Sequence, residues 1–301
     1  MNDSSVLSEF IRYLRENDFA ENTVSGYQFD LEKFFEWYLQ SLGEEVELKK
    51  LSPLDLINYR QFLLNVRGLQ PTTINRRLEA LRKLSRWAVQ TKRMKSDVAI
   101  SLKPIKFVRN RQPLGLLENE FHALLRVSGS SNFAVRNYAI VQLMAQTGLR
   151  VSEVADLKMS DVKASERAGT VLVKQGKGLK EREIPLNASI RRAVRSYLEI
   201  RGQSVSDSVF LSQKGEKLSK RMIQSMISQF GKKAKITRIS VSAHTLRHTF
   251  ALNYLKQNPG KLVDLANLLG HESLDTTAVY TKPSQADLGR DLENSLLNVY
   301  G

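Results

Sequence analysis

Along most of this chain apolar residues return every third or fourth position, and only between Gly169 and Pro185 does the pattern become alternating. That single change of period limits the fold to a mainly α chain with a small β element inserted late. The stripes are clearest near the start. Val6, Phe10, Ile11 and Leu14 share one helical face, with Ser4 and Ser5 as capping candidates. Tyr27, Leu31, Phe34, Phe35 and Tyr38 fall on a second helix, Thr23 to Leu42, which Gly43 stops. Ser52 and Pro53 open a third helix that runs through Leu56, Tyr59, Phe62 and Leu63 towards Gly68. Pro71 opens a fourth, with Ile74, Leu78, Leu81, Leu84 and Ala88 inward. These four helices predict a first domain over residues 1–95.

The outer face of the fourth helix carries Arg76, Arg77, Arg82, Lys83 and Arg86, followed by Lys92 and Arg93. A solvated surface would look similar, but glutamates at i,i+4 are scarce and the whole chain is basic. Its 46 Lys and Arg against 31 Asp and Glu leave a formal charge of +15. Such an excess favours a polyanionic partner, nucleic acid ahead of an anionic membrane, and phosphate contact for this helix. No apolar run approaches the roughly 20 residues that span a bilayer, and MNDSSVLSEF lacks the basic-then-apolar order of a signal peptide. A soluble, cytoplasmic, nucleoid-associated protein with no membrane partner is expected. The chain has no cysteine, which excludes disulfides, thiolate metal sites and cysteine nucleophiles.

A length of 301 residues favours two domains. Periodicity fades in KPIKFVRNRQPLG, so a basic connection is placed at 96–115 and a second domain at 116–301. A basic connection between two basic domains would let them close on a duplex from opposite sides. The second domain opens with helices from Glu118 past Leu125 and from Phe133 to Gln146. Gly148 then breaks the pattern, and Arg150 begins another helix with Val151, Val154 and Leu157 as its stripe. Glu153 follows Arg150 by three residues, which alone would be an ordinary surface ion pair.

TVLVKQGKGLKEREIPL predicts a hairpin with strands near Thr170 to Lys174 and Arg182 to Pro185. Its tip bears Lys174, Lys177 and Lys180. GKG lacks the spacing and following helix of a phosphate-binding loop, so ATP is not expected. A lysine on such a tip can reach a groove and protonate a departing oxygen, although most tip lysines are simply solvated. Beyond it, Ile190 to Tyr197 reads as helix, Val209 to Leu211 as a short strand, and Ser219 to Ala234 as helix.

His244 to Tyr280 contains three of the four histidines. HTLRH has the spacing of a zinc-binding HExxH helix, but its glutamate is missing and an arginine stands beside the second histidine. Zinc is disfavoured, and His248 reads as a packing or hydrogen-bonding residue. Gly270 ends a compact leucine-rich helix and delivers His271 just beyond it. Cleaving a phosphodiester needs a nucleophile, cations on the non-bridging oxygens and a proton donor for the leaving alkoxide. Tyr280, the arginines and the hairpin lysines offer all three. A phosphotyrosine link conserves the energy of the broken bond, so resealing needs neither ATP nor metal, and no cofactor is expected.

TGLR followed by VSE, GKGLKER, HTLRHTFA, LLGHESLDTTAVY and the earlier NTVSGYQFDLEKF resemble, in order and interval, the tyrosine recombinase (phage integrase) family, particularly its Xer-like two-domain members. The resemblance spans nearly the whole chain. It implies an N-terminal four-helix, SAM-like core-binding domain and a C-terminal mixed α/β catalytic domain. It also implies that Arg150 and Arg247 clamp the scissile phosphate, His244 is the base toward the nucleophile and His271 donates to a phosphate oxygen. Lys177 is then the general acid for the 5′-hydroxyl, Glu153 supports the site, and Tyr280 forms a 3′-phosphotyrosyl bond. Lys174 and Lys180 stay open as alternatives to Lys177 or as phosphate contacts.

As partners the resemblance implies a double-stranded DNA recombination site and a homo-tetramer on synapsed DNA, with exchange through a Holliday junction. The sequence does not choose between action alone, with a second recombinase or with an accessory protein. A tail over 284–301, with Leu288, Leu292, Leu296 and Leu297 at helical spacing, is expected to dock on a neighbouring subunit. Family members that bind distant arm sites carry an extra N-terminal domain, whereas here the helical domain begins at once. That favours dimer resolution, cointegrate resolution or mobile-element integration and excision. A type IB topoisomerase, an architectural DNA-binding protein and a metallohydrolase are the competing classes.

Overall fold

The computed structural model describes residues 3–106, 113–175, 179–271 and 273–281, together with positions 289, 292 and 293. The chain divides into two compact units, Met1–Asn110 and Arg111–Gly301. The first unit holds α1 (Asp3–Glu16), α2 (Glu21–Leu42), α3 (Pro53–Gln61) and α4 (Pro71–Gln90). Because α1 already begins at Asp3, Ser4 and Ser5 lie inside it and not before it. Ser52 caps α3 reciprocally: its hydroxyl accepts from the Asp55 amide, and the Asp55 carboxylate accepts from the Ser52 amide at 2.8 Å. The helix then widens into a π turn over Phe62–Val66. Phe10, Leu14, Phe34, Tyr59 and Leu78 are fully buried between the four helices, with Phe34 and Tyr59 edge to face at 5.0 Å.

The segment beginning at residue 96, expected as part of an extended connection, packs on this core up to Ile105. Val98, Ala99 and Leu102 are buried, and Asn75 of α4 exchanges two hydrogen bonds with the backbone of Ile105, at 2.9 and 2.8 Å. Three apolar side chains within five residues are enough to hold the strap down, although they are too irregular to show a period. The remainder of KPIKFVRNRQPLG from 107 to 112 lies outside the described residues, and Leu116 is already part of the second core.

The cationic face of α4 is less free than its local sequence suggests. Arg76 pairs with buried Asp30 of α2, Arg77 lies 3.8 Å from the same carboxylate, and Arg93 pairs with Glu9 of α1. Arg82 bonds Glu79 at 3.0 Å and the carbonyl of Leu102. Lys83 sits 4.6 Å above the ring of Phe19, and Arg86 is the more exposed of the two arginines near Glu79. Asp30 and Glu9 come from other helices, which an i,i+4 count cannot see, and Glu79 of α4 itself serves Arg82 at i,i+3.

The second unit contains α5 (Glu118–Gly129), α6 (Ala134–Thr147), α7 (Val151–Asp156), β1 (Val162–Ala164), β2 (Gly169–Gln175), β3 (Leu179–Pro185), α8 (Ala188–Arg201), α9 (Lys220–Lys233), α10 (Ala243–Gln257), α11 (Leu262–Leu269) and α12 (Leu274–Ala278). The strands form one antiparallel sheet in the order β1-β2-β3, with Val171 opposite both Val162 and Ile184. The hairpin stands where alternation predicts it; β1, only three residues long, is an addition. Val209 to Leu211, expected as a strand, is instead flanked by two isolated bridges, Ser208 to Lys158 and Leu211 to Lys217. Helix α6 is buried almost all round, from Ala139 to Ala145. Among the described residues no helix is long and apolar enough to cross a membrane. Of the tail leucines, Leu292 is exposed, while Leu288, Leu296 and Leu297 lie outside the described residues.

Gly148 ends α6 at φ 67°, and a Cβ there would lie 2.5 Å from Phe250 and 2.7 Å from Leu269. It therefore fixes both the turn into Arg150 and the approach of α10 and α11. Gly148→Ala should destabilise the second unit by about 2–5 kcal/mol, from left-handed strain plus overpacking. A lowered urea midpoint for that unit would show it; an unchanged midpoint would mean that the contact is slack.

Candidate active site

The C-terminal end of α11 is the hub on which the charged residues converge. A helix end leaves its last carbonyls without intrahelical donors and carries partial negative charge, so it is a natural seat for cations. Here three successive carbonyls take three arginines. Arg182 Nε donates to Leu268 O at 2.9 Å, Arg247 Nη2 to Leu269 O at 2.8 Å, and Arg150 Nη2 to Gly270 O at 2.9 Å. Gly270 adopts φ 63°, and a Cβ on it would meet Arg182 Nη1 at 2.7 Å, so the close approach depends on a bare backbone.

Each arginine arrives from a different element. Arg150 caps the start of α7, where the Glu153 carboxylate accepts from its amide at 2.8 Å and from its Nη1 at 2.9 Å. Arg182 extends from β3 and gives Nη2 to the second oxygen of Glu153 at 2.8 Å. Arg247 comes from α10, started by Ser242, whose hydroxyl accepts from the Thr245 amide. Arg247 is only 4% exposed and donates Nη1 to Gly148 O at 2.6 Å. Glu153 is the one carboxylate hydrogen-bonded to this cluster among the described residues, and the two guanidinium groups hold it below the usual carboxylate range despite burial. Burial, then Arg150, pushes Arg247 down to about 10, which still leaves it charged at neutral pH.

The histidines are arranged around Arg247. Its Nη2 also lies 2.8 Å from His271 Nε2, and since a guanidinium only donates, that nitrogen must accept. The proton of neutral His271 is then on Nδ1, which donates to the hydroxyl of buried Thr277 at 2.7 Å. Burial and the nearby arginines push His271 down to about 4. His244 and His248, one turn apart on α10, lie edge to face at 4.2 Å. His248 Nδ1 is 2.8 Å from Tyr280 Oη. The Tyr280 ring rests on the apolar cluster of Ala251, Leu265 and Leu269. Burial, then His244 and Arg247, pushes His248 down to about 4. His244 is the exposed member, yet partial burial, then Arg247 and Arg150, still lowers it. Burial raises the Tyr280 phenol, against a smaller opposite effect of Arg247.

The structure thus brings together Arg150, Glu153, His244, Arg247, His271 and Tyr280. Lys177 lies outside the described residues, as do the side chain of Lys180 and the hairpin tip between β2 and β3. Lys174 is tied to Asp161 at 2.5 Å, in a groove that runs from Arg150 along α7 to β2. Three participants, Arg182, Thr277 and His248, lie within the quoted motifs but are given no part in the site by them. The partner of Arg182 is 29 residues away and that of His248 is 32 residues away, so only the fold reveals them.

Residues 115–287 match the phage integrase family, and residues 7–92 match the phage integrase N-terminal SAM-like domain. The chain belongs to the phage integrase family, the tyrosine recombinases. It is 35% identical to tyrosine recombinase XerC of Neisseria meningitidis over 272 residues, covering 87% of this chain and 86% of that one. It is 29% identical to the TnP I resolvase of Bacillus thuringiensis, over 96% of this chain and 99% of the resolvase. In fold it is similar to the XerH site-specific recombinase solved in a post-cleavage complex with palindromic difH, at a TM-score of 0.79 and 22% identity, covering 96% and 94% of the two chains.

The half-buried neutral histidines have a measurable consequence. With both His248 and His271 lowered from 6.5 to about 4, their contribution to stability is complete above pH 6.5 and declines as pH falls, because the unfolded chain takes up protons that the folded chain refuses. The urea midpoint of the second unit should therefore fall between pH 6.5 and about 5, before most carboxylates titrate. His271→Asn should flatten that slope; a slope identical to wild type would show that His271 titrates alike in the folded and unfolded chain.

Proposed function

We propose that this chain is a site-specific DNA recombinase in which Tyr280 cleaves and rejoins DNA strands through a 3′-phosphotyrosyl intermediate. The observation that carries the proposal is the excess of positive charge at the end of α11: three guanidinium groups face one carboxylate, Glu153, with Tyr280 joined to the same cluster through α10. Like charges this close repel, and a phosphodiester would relieve them. XerH is solved with DNA, and the lambda integrase dimer is solved on a core site, so duplex DNA is the partner proposed here.

In this mechanism Arg150 and Arg247 bind the two non-bridging oxygens of the scissile phosphate and stabilise the charge that spreads over them in the transition state. Glu153, with Arg182 behind it, fixes the angle of Arg150. Tyr280 Oη gives its proton to a histidine of α10, a role the family resemblance assigns to His244, and bonds to phosphorus, and the bond from phosphorus to the 5′-oxygen breaks. Lys177 supplies the proton for that oxygen. An anion beside Arg247 would also raise the pKa of His271, so that its Nε2, now an acceptor, becomes a donor to the phosphate. Attack by a 5′-hydroxyl of another strand reverses the sequence and releases Tyr280. The bond energy stays in the phosphotyrosine throughout, so no nucleotide is consumed.

Two subunits per site, four at synapsis, and strand exchange through a Holliday junction complete the proposal, with the tail from 284 docking in trans. Deleting Asp287 to Gly301 should abolish cooperative binding to two-site DNA in gel-shift titrations; unchanged cooperativity would place the tail in cis.

The chemistry is tested with duplexes recovered from a random-sequence pool by binding to the full chain and then nicked at successive positions. The wild type should form a covalent protein–DNA adduct at one nick position, in chelator and without nucleotide, and Tyr280→Phe should form none. An adduct of equal yield with Tyr280→Phe would overturn the assignment. Arg150→Ala should bind the duplex within a few-fold of wild type, since one phosphate contact among many adds little affinity, yet cleave about 10²–10³-fold more slowly.

A further inference from the structure

The proton of the nucleophile has an immediate neighbour that the family motif does not assign. His248 Nδ1 lies 2.8 Å from Tyr280 Oη, a hydrogen-bond distance, with the two rings 5.5 Å apart and inclined by 60°. Both side chains are half-buried. Helix α10 sets the geometry: His248 follows buried Arg247 directly and lies one turn after His244, whose ring covers it edge-on at 4.2 Å. The Tyr280 ring is seated on Ala251, Leu265 and Leu269, so its hydroxyl is presented to His248 by packing as well as by the hydrogen bond.

We propose that His248 is a catalytic residue of this chain: its Nδ1 accepts the Tyr280 Oη proton as the phenol oxygen attacks phosphorus, and returns that proton when the phosphotyrosyl bond is broken. The inference rests on the proposed role of Tyr280 as nucleophile. The step balances without a further reactant. The O–H bond of Tyr280 is replaced by an N–H bond on His248, the oxygen lone pair forms the bond to phosphorus, and the departing 5′-oxygen takes a separate proton from the acid on its own side. The groups that face His248 are His244 and Arg247 on α10 and Tyr280 beyond α12. With two of these neighbours able to carry positive charge, a neutral imidazole able to accept is favoured, and a bound phosphate would raise its basicity as attack begins. This reassigns the base role that the family resemblance gives to His244, and leaves His244, the more exposed of the two, free to meet a phosphate oxygen.

A general base is distinguished from a mere support by how the rate depends on pH. Without a base, the phenolate must form by ionisation to solvent, and its raised pKa makes that form scarce at neutral pH. His248→Asn keeps a hydrogen-bonding group near the Nδ1 position but cannot take a proton at neutral pH; His248→Leu removes both functions. Single-turnover adduct formation on the selected nicked duplex is measured for both variants and for wild type between about pH 7 and about pH 9. The wild-type rate should be nearly flat. His248→Asn should be slower by about 10²-fold at the neutral end and should gain about tenfold per pH unit. Replacing the bridging 5′-oxygen by sulfur, which leaves without a proton, should not rescue it. Duplex affinity and unfolding midpoint confirm that each variant is folded; if His248→Leu is not, the Asn variant decides. Wild-type rates with a flat profile in His248→Asn would overturn the role of His248 while leaving Tyr280 in place. Failure of wild type to form a Tyr280-dependent adduct would instead sink the recombinase mechanism itself.

Discussion

The seating of Arg247 at two helix ends is the contact on which the rest of the catalytic unit depends. One guanidinium group, almost wholly buried, donates to the carbonyl that ends α6 and to the last residue of α11, and touches His271 just beyond. Burying such a cation without partners would be prohibitive, so these acceptors are a condition of folding and not an ornament. Gly148 and Gly270 supply the left-handed turns that stop the two helices there and leave the carbonyls free. Once Arg247 is in place, α6, α10 and α11 have fixed relative positions. The next carbonyls of α11 then lie within reach of Arg150 and Arg182.

That construction has an electrostatic cost which the core must offset. Two helix termini contribute only partial negative charge, roughly half a unit each. Glu153 adds one full charge for three guanidinium groups. The first unit handles its own arginines differently: Asp30 is buried beneath Arg76 and Arg77, and Glu9 and Glu79 meet Arg93 and Arg82. There, several of the cations read from sequence as a free phosphate-binding face are partly neutralised by the protein. At the end of α11 they are not. A uniform surface of basic residues would bind a polyanion anywhere along it, whereas a small cluster held rigid and under-neutralised favours one phosphate over its neighbours.

How far the sequence could disclose this follows from the range of each interaction. Helices were legible because period, proline and glycine are local signals; Ser52–Pro53, Gly148 and Gly270 mark boundaries where they stand. The π turn after α3 and the three-residue β1 carry too little pattern to register. The packed strap from 96 to 105 resembles a linker because its apolar residues follow the surface of a folded domain and no helical period. Among site residues, Arg150, Arg247, His271 and Tyr280 sit in recognisable motifs, and Glu153 is close enough to Arg150 to be paired with it on paper. Arg182 and His248 belong to those same motifs by position, but their meaning lies in partners from other elements. His248 in particular reads as an ordinary half-buried histidine until Tyr280 is folded against it. The i,i+4 step from His244 was the one hint that it shared a working face.

The three histidines complete the electrostatic logic. Each has its pKa lowered, and a proton on any of them would add a cation to a cluster already short of negative charge. Keeping them neutral limits the repulsion within the cluster and leaves His271 Nε2 as the acceptor for Arg247, while His248 Nδ1 stands at hydrogen-bond distance from the tyrosine hydroxyl. A phosphate bound between Arg150 and Arg247 would offset part of that positive charge without cancelling it. On the proposed mechanism the imidazoles would then be easier to protonate at the moment when a proton must leave Tyr280 and hydrogen bonds must strengthen at the phosphate. In the proposed mechanism the substrate's own charge is therefore what makes the histidines available as acid–base groups, and the chemistry would be confined to the state in which the phosphate is bound.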